Sequence, residues 1–350
     1  MLVVAISLAL CILGTGASAV RDEVRKVRKV SLTSPLRPGD YASVTLRVPP
    51  SARCTITFRY VDIFKNRAAS AAKGLVPETG GGFTWRWRLD PDIRPGRWPL
   101  AVRCGRSGML TLWIQVQPRV PAPIVGKGYR YVFGDEFGTF DPTVWSRSIW
   151  YEPAAPRTDI YVRDGVLRLV SRRAAGYPPR LATTRVSARR TRSFQRGYVE
   201  ARMRWTSGIG AFPAFWLFST NWANTGRCPP LVAELDIFEG DGAVPTAHLG
   251  TLHRNTTGPC GIADSINANA LTNDVDLGQS LDWHVYSALW TQDEVIWYLD
   301  GRLLKRWPAF DSTDQDMFLL FQIAAHAVRV DATTPDTLHA DVDWIRVWQQ

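Results

Sequence analysis

One stretch constrains this 350-residue chain more than any other: Ala233-Glu234-Leu235-Asp236-Ile237-Phe238-Glu239-Gly240. Apolar and acidic residues alternate from Ala233 to Ile237, as in a strand that buries one face and leaves the other open. Glu234 and Asp236 then share one face, and Leu235 and Ile237 the other. Strict alternation would set Phe238, not Glu239, beside the two acids. One extra residue, a β-bulge near Ile237-Phe238, returns Glu239 to the acidic face.

Three like charges on one sheet face repel each other, which is a poor way to stabilise a sheet. The same arrangement suits acid–base chemistry. Retaining cleavage of a glycosidic bond uses a carboxylate nucleophile and a second carboxyl as acid, about 5 Å apart. The bland reading of the motif, a solvated strand face, is weakened by its flanks. Gln195-Arg196-Gly197-Tyr198-Val199-Glu200-Ala201-Arg202-Met203 leads to Ala211-Phe212-Pro213-Ala214-Phe215-Trp216-Leu217, then to the acidic stretch, then to Gly250-Thr251-Leu252-His253. Trp297-Tyr298-Leu299-Asp300-Gly301 and Val342-Asp343-Trp344-Ile345-Arg346-Val347 follow, and Asp135-Glu136-Phe137 stands near the start of the series. As an ordered set, from about residue 128 to residue 350, these segments closely resemble glycoside hydrolase family 16, which includes laminarinases and lichenases.

The ends and composition set the context. Leu2 to Gly14 is almost wholly apolar and Ala17-Ser18-Ala19 follows, which reads as a signal peptide cleaved after Ala19, although the usual positive charge before it is missing. An exported, extracellular protein is expected, with no membrane span after cleavage. Net charge is +10, yet no long basic run or nucleic-acid motif appears, so a basic soluble surface is favoured over nucleic-acid binding. Cleavage removes Cys11 and leaves Cys54, Cys104, Cys228 and Cys260, an even number in an exported chain. Cys54 shares strand parity with Ile56, Phe58 and Tyr60, and Cys104 with Leu100 and Val102. The expected pairs are Cys54–Cys104, stapling a small sandwich, and Cys228–Cys260. Zinc finds no CxxC or clustered His to support it.

The whole chain reads as all-β. Residues 20–36 are charged and read as loose. From Pro38 to Gln117, alternating runs at Ser43–Val48, Cys54–Tyr60, Phe83–Leu89, Trp98–Arg103 and Met109–Val116 stand between Gly- and Pro-rich turns. That predicts an immunoglobulin-like β-sandwich over residues 20–117. Trp85 and Trp87 share a strand face, and packing is favoured there over a sugar platform. A proline-rich linker covers 118–127, and a second strand-rich domain covers 128–350. Asp164-Gly165 and Asp300-Gly301 each fall between alternating runs, as hairpin turns do. The resemblance implies a β-jelly roll with a cleft for this second domain.

The resemblance also implies roles. Glu234 becomes the nucleophile, Glu239 the acid/base, and Asp236 their partner between. Glu200 and Arg202 share parity and are expected to face the cleft. Trp216 matches the cleft aromatic, Phe218 shares its parity, and His253 lies one strand after the acids. Phe212 replaces the family's usual Trp, and Ala324-Ala325-His326-Ala327 replaces its Gly-Gly. No cofactor is required. Asp343 matches a ligand position for the structural calcium that many members carry. The expected protein is a monomeric, secreted, retaining endo-β-glucanase whose partner is β-1,3- or mixed β-1,3/1,4-glucan. A transglycosylase or galactanase of the same family, and a non-enzymatic glucan-binding protein, remain open alternatives.

Overall fold

The computed structural model describes residues 26–49, 52–63, 67–74, 81–147, 155–172, 180–183, 192–220, 233–254, 264–266, 282–309, 315–325 and 330–350. The expected signal peptide and the expected Cys228–Cys260 pair lie outside them. No helix among the described residues is long and apolar enough to cross a membrane. The chain divides into two compact units, Met1–Arg119 and Val120–Gln350.

The first unit contains strands β1 (Arg28–Leu32), β2 (Tyr41–Val48), β3 (Cys54–Val61), β4 (Arg67–Gly74), β5 (Gly81–Arg88), β6 (Gly96–Arg103) and β7 (Met109–Val116). They form a three-stranded sheet, β1-β2-β5, and a four-stranded sheet, β4-β3-β6-β7. Alternation sets the buried faces: Ala42, Val44, Leu46 and Val48 of β2 point inward with Cys54, Ile56 and Phe58 of β3. Trp85 and Trp87 stack at 4.0 Å between ring centroids and pack against this core, so they build no open sugar platform.

One expectation for this unit is corrected, and one strand is added. Arg28–Leu32 is no loose lead-in but an edge strand paired with β2. Arg67–Gly74 pairs along all of β3, although its alanine-rich sequence shows no alternation. The Cys54–Cys104 disulfide is present. It joins β3 to the residue that follows β6, its neighbour in the same sheet, so the two sheets are held together by their apolar core.

The second unit begins with β8 (Arg130–Asp135), β9 (Trp145–Ser146), β10 (Ile160–Arg163), β11 (Val166–Arg172), β12 (Arg180–Thr183), β13 (Ser193–Phe194), β14 (Gly197–Trp205) and β15 (Ala211–Ser219). It continues with β16 (Ala233–Asp241), β17 (Val244–Arg254), β18 (Asp264–Ile266), β19 (His284–Trp290), β20 (Glu294–Leu299), β21 (Arg302–Pro308), β22 (Met317–Ala325) and β23 (Thr337–Gln349). One antiparallel sheet runs β18-β17-β16-β15-β22-β12-β9, with β13 also on β22. The other runs β10-β11-β23-β14-β19-β20-β21, with β8 also on β23. Together they make a β-jelly roll. Phe215 and Leu217 of β15 and Leu319, Phe321 and Ile323 of β22 meet Val199, Ala201 and Met203 of β14 in one core.

Turn chemistry sets the hairpins. Asp164 and Gly165 both have positive φ (51° and 70°) between β10 and β11, as do Asp300 and Gly301 (50° and 77°) between β20 and β21. A two-residue turn with both φ values positive matches the twist of the strands it joins.

The segment 118–127, expected as the linker, falls mostly within the second unit. A short 3-10 turn at Ala122–Ile124 buries Ile124 against Tyr198, Leu289, Ile296, Tyr298 and Trp348. These side chains cover the back of the sheet containing β14.

Candidate active site

The acidic strand β16 lies between β15 and β17. Its register on β15 pairs Phe218 with Glu234, Trp216 with Asp236, Phe215 with Phe238 and Ala214 with Glu239. Ile237 has no opposite number, and the ladder to β17 also slips between Asp236 and Glu239. Ile237 and Phe238 are consecutive residues and both are fully buried in the core. This is the bulge that alternation demands: two apolar side chains go inward in succession, and Glu239 emerges on the face of Glu234 and Asp236.

A bulge leaves backbone groups without ladder partners, and buried polar groups need partners. Two side chains satisfy them. His248 Nε2 lies 3.0 Å from the Ile237 carbonyl oxygen. A carbonyl only accepts, so Nε2 carries the proton and donates. Burial pushes the pKa of His248 down to about 4, keeping the ring neutral. The ring sits edge-on to Phe238, which stacks on Tyr286 at 4.0 Å. On the other side of the bulge, Trp297 Nε1 donates to the Asp236 carbonyl oxygen at 2.8 Å. Gly250 makes room for that indole: a Cβ there would lie 2.5 Å from Trp297 Cδ1.

Above the bulge is a cavity of about 150 Å³ lined by Glu234, Asp236, Glu239, Trp216, Phe212 and Gln322, together with Ala214. Burial raises the Asp236 carboxyl well above the usual carboxylate range, and the charge of Glu239 raises it further. Glu239 is also raised, chiefly by burial, while His253 and a hydrogen bond from Thr251 pull it down. Thr251 Oγ1 donates to Glu239 Oε2 at 3.2 Å. Two raised carboxyls side by side hold protons at pH values where a free acid has lost them. His253 Nε2 is 3.1 Å from Asp236 Oδ2, within ion-pair reach. Asp236 Oδ2 has no hydrogen-bond partner among the described residues. Among the described residues, the buried Trp216 indole N–H has no partner beside the cavity, where it can donate to a ligand hydroxyl. Phe218 meets Trp216 edge-on at 5.9 Å and lies opposite Glu234.

The structure therefore brings together Glu234, Asp236, Glu239, Trp216, Phe218 and His253. It does not bring Glu200 and Arg202 to them. Both lie on β14, in the other sheet, on the face turned away from the core. Glu200 is buried beside Arg346, Tyr198 and Glu136, and burial raises its pKa to about 7. Arg202 donates to Asp343 at 2.8 Å and lies over the Trp283 ring. Their shared parity is real, but alternation says which residues share a face and not which sheet they occupy. Asp343, expected at a calcium-ligand position, lies on the neighbouring strand β23. Its carboxylate is buried and receives a guanidinium, a cation already in place. Among the described residues, the one group of three or more His, Cys, Asp or Glu side chains placed to hold a metal ion is Glu234, Asp236 and His253, with ligand atoms within 4.8 Å of one another.

Sequence reasoning missed His248, Thr251, Trp297 and Gln322. Thr251 stood two residues before His253 in the strand that follows the acids, and Trp297 opened a quoted motif without a role assigned to it; His248 and Gln322 carried no local signal.

A β-jelly roll with three carboxyls and an unpartnered indole in one cavity defines a protein equipped for acid–base work on a hydroxyl-rich ligand. The chain belongs to the glycosyl hydrolases family 16, whose family model matches residues 157–346. Over 194 residues it is 30% identical to the endo-1,3-1,4-beta-glycanase EglC of Rhizobium meliloti (strain 1021), covering 53% of this chain and 38% of that protein. Over 258 residues it is 26% identical to the endo-1,3-1,4-beta-glycanase ExsH of the same strain, covering 62% and 51%. The chain thus spans about half or less of the length of these two relatives. The fold is similar to the catalytic domain of an endo-1,3-beta-glucanase (laminarinase) from Thermotoga petrophila RKU-1, with a TM-score of 0.52 and 23% identity over 63% of this chain and 98% of that one.

Proposed function

We propose that this chain is an exported, retaining endo-β-glucanase acting on β-1,3- or mixed β-1,3/1,4-glucan. The observation that carries this reading is the bulge, which sets Glu234, Asp236 and Glu239 around one cavity. Glu234 attacks the anomeric carbon as the leaving oxygen takes a proton from Glu239. Glu239, now ionised, takes a proton from the water that releases the glycosyl ester. Burial favours the protonated form of Glu239 needed for the first step. Protonated Asp236 donates a hydrogen bond to the nucleophile and eases the change in its charge.

The lining of the cavity supports a neutral sugar at the point of cleavage. Among the described residues lining it, those beside the acids are aromatic, apolar and amide side chains, with no Lys or Arg. A sulfated ring there would lose hydration and gain no cationic partner. The two Rhizobium relatives are named endo-1,3-1,4-beta-glycanases, which agrees with a β-1,3- or mixed-linked substrate.

The test is a pair of variants. Glu234→Ala and Glu239→Ala should each abolish nearly all cleavage of laminarin. With an activated aryl glycoside only the Glu239 variant should form the glycosyl ester, and azide should convert it to the β-azide. Proton NMR of the wild-type reaction should show the β-anomer first. An active Glu234→Ala enzyme, or early α-anomer, would overturn the assignment.

A further inference from the structure

A second cavity lies away from the acids, beside β9. It measures about 350 Å³, more than twice the volume of the cavity over the bulge. Strand β9 is the outermost strand of the acid-bearing sheet, four positions from β16. At about 4.8 Å per strand, β9 lies about 19 Å from β16 across the sheet. Among the residues lining this cavity are Arg147, Arg157, Phe140, Trp145 and Ser146.

Its charge is unbalanced. The Arg147 guanidinium lies 3.5 Å above the centre of the Phe140 ring, and its Nε donates to the Ile160 carbonyl oxygen at 2.8 Å. Those two contacts fix its plane. Among the described residues neither Arg147 nor Arg157 forms an ion pair. The nearby acids are engaged elsewhere: Asp159 with Arg172 at 3.2 Å, and Asp141 with the backbone and hydroxyl of Thr143. Burial lowers the pKa of Arg147, and the positive charge of Arg157 lowers it further. Two cations lining one hollow without a counter-charge are unfavourable alone and favourable around an anion.

We propose that this cavity binds a single acidic group, a carboxylate or sulfate carried on the polysaccharide several sugars from the cleaved bond. The proposal rests on the reading of the chain as a polysaccharide hydrolase. Two guanidiniums supply the planar donor sets that oxyanions accept. Phe140 and the exposed Pro142 supply apolar surface for the body of a sugar. The ligand is thus an acidic decoration on an otherwise neutral backbone, and the enzyme would prefer a decorated glucan to a bare one.

The experiment compares β-1,3-glucan with carboxymethylated β-1,3-glucan of equal length, in binding and in initial rate. Binding is measured on the full chain carrying Glu239→Gln, which separates it from turnover. The wild-type sequence should favour the carboxymethylated polymer at low salt and lose the preference as salt rises. Arg147→Gln and Arg157→Gln should each lower the ratio of carboxymethylated to neutral binding about tenfold, and Arg147→Lys less. Arg157 is exposed, so its variant tests the idea even if Arg147→Gln folds poorly. An unchanged ratio in the Gln variants would overturn the proposal. So would Arg-dependent binding of free glucuronate or inorganic sulfate with no discrimination between the polymers. If neither polymer is cleaved, the glucanase reading fails, while the binding ratio still decides this one.

Discussion

His248 offers a sharp test of how the active strand is held. The folded chain keeps this buried ring neutral down to about pH 4, because burial opposes its charging. In the unfolded chain the ring takes up a proton near its ordinary value of about 6.5. Between those values the unfolded state binds more protons, so stability falls as pH drops through the window. Each pH unit there is worth about 1.4 kcal/mol, and acidification from pH 7 to pH 4 costs about 3 kcal/mol through this ring alone. His248→Gln removes the titration and keeps an amide N–H for the Ile237 carbonyl. His248→Leu removes both and leaves that carbonyl unsatisfied, at a cost of about 1–3 kcal/mol at any pH. Urea unfolding followed by tryptophan fluorescence at pH 7, 5.5 and 4 measures all three proteins. The wild-type protein should lose about 3 kcal/mol relative to the Gln variant as pH falls. The Leu variant should stay below the Gln variant throughout, with a lower kcat as the bulge loosens. A wild-type-to-Gln difference that does not change between pH 7 and pH 4 would refute the neutral, donating ring.

Other outcomes follow from the same geometry. Gly250→Ala should displace the Trp297 indole from the Asp236 carbonyl, destabilise the fold by about 1–3 kcal/mol and cut kcat/KM, read by thermal unfolding and initial rates. The basic limb of the pH–rate profile should lie above the pKa of free glutamic acid, because Glu239 holds its proton longer; a limb near 4.5 would place the acid elsewhere. A chain beginning at Val120 should be more stable than one beginning at Lys127 by about 2 kcal/mol, the worth of burying Ile124, measured by urea unfolding of both.

Much of the site was legible because β-strands obey a simple parity. The run from Ala233 to Ile237 alternates, so its failure at Glu239 marks the bulge before any coordinates are seen. Asp164-Gly165 and Asp300-Gly301 were legible because few sequences accept two successive positive φ values. What parity could not supply was the partner sheet. Glu200 and Arg202 read as cleft residues by their spacing, yet β14 pairs with β19 and β23, and its outer face meets Trp283, Asp343 and Arg346 instead. The strand Arg67–Gly74 was hidden because small side chains blur the alternation. Ile124 was hidden because a lone apolar residue among prolines carries no period. The roles of His248 and Trp297 were invisible for another reason: each serves a backbone carbonyl, and a sequence motif does not record which carbonyls a bulge orphans.

The bulge also bears on how such a strand can change length. A regular strand reading Glu-x-Asp-x-Glu would carry three acids on one face by alternation alone. This strand is one residue longer, and the extra side chain goes into the core with its neighbour, since Ile237 and Phe238 are both fully buried. The two forms differ by a single codon, and neither moves an acid off the face. Insertion or deletion at this point is therefore a step a descendant could take without passing through a chain whose third acid points inward. What would have to adjust is underneath: the space that holds Phe238 against Tyr286, and the two side chains that serve the displaced carbonyls.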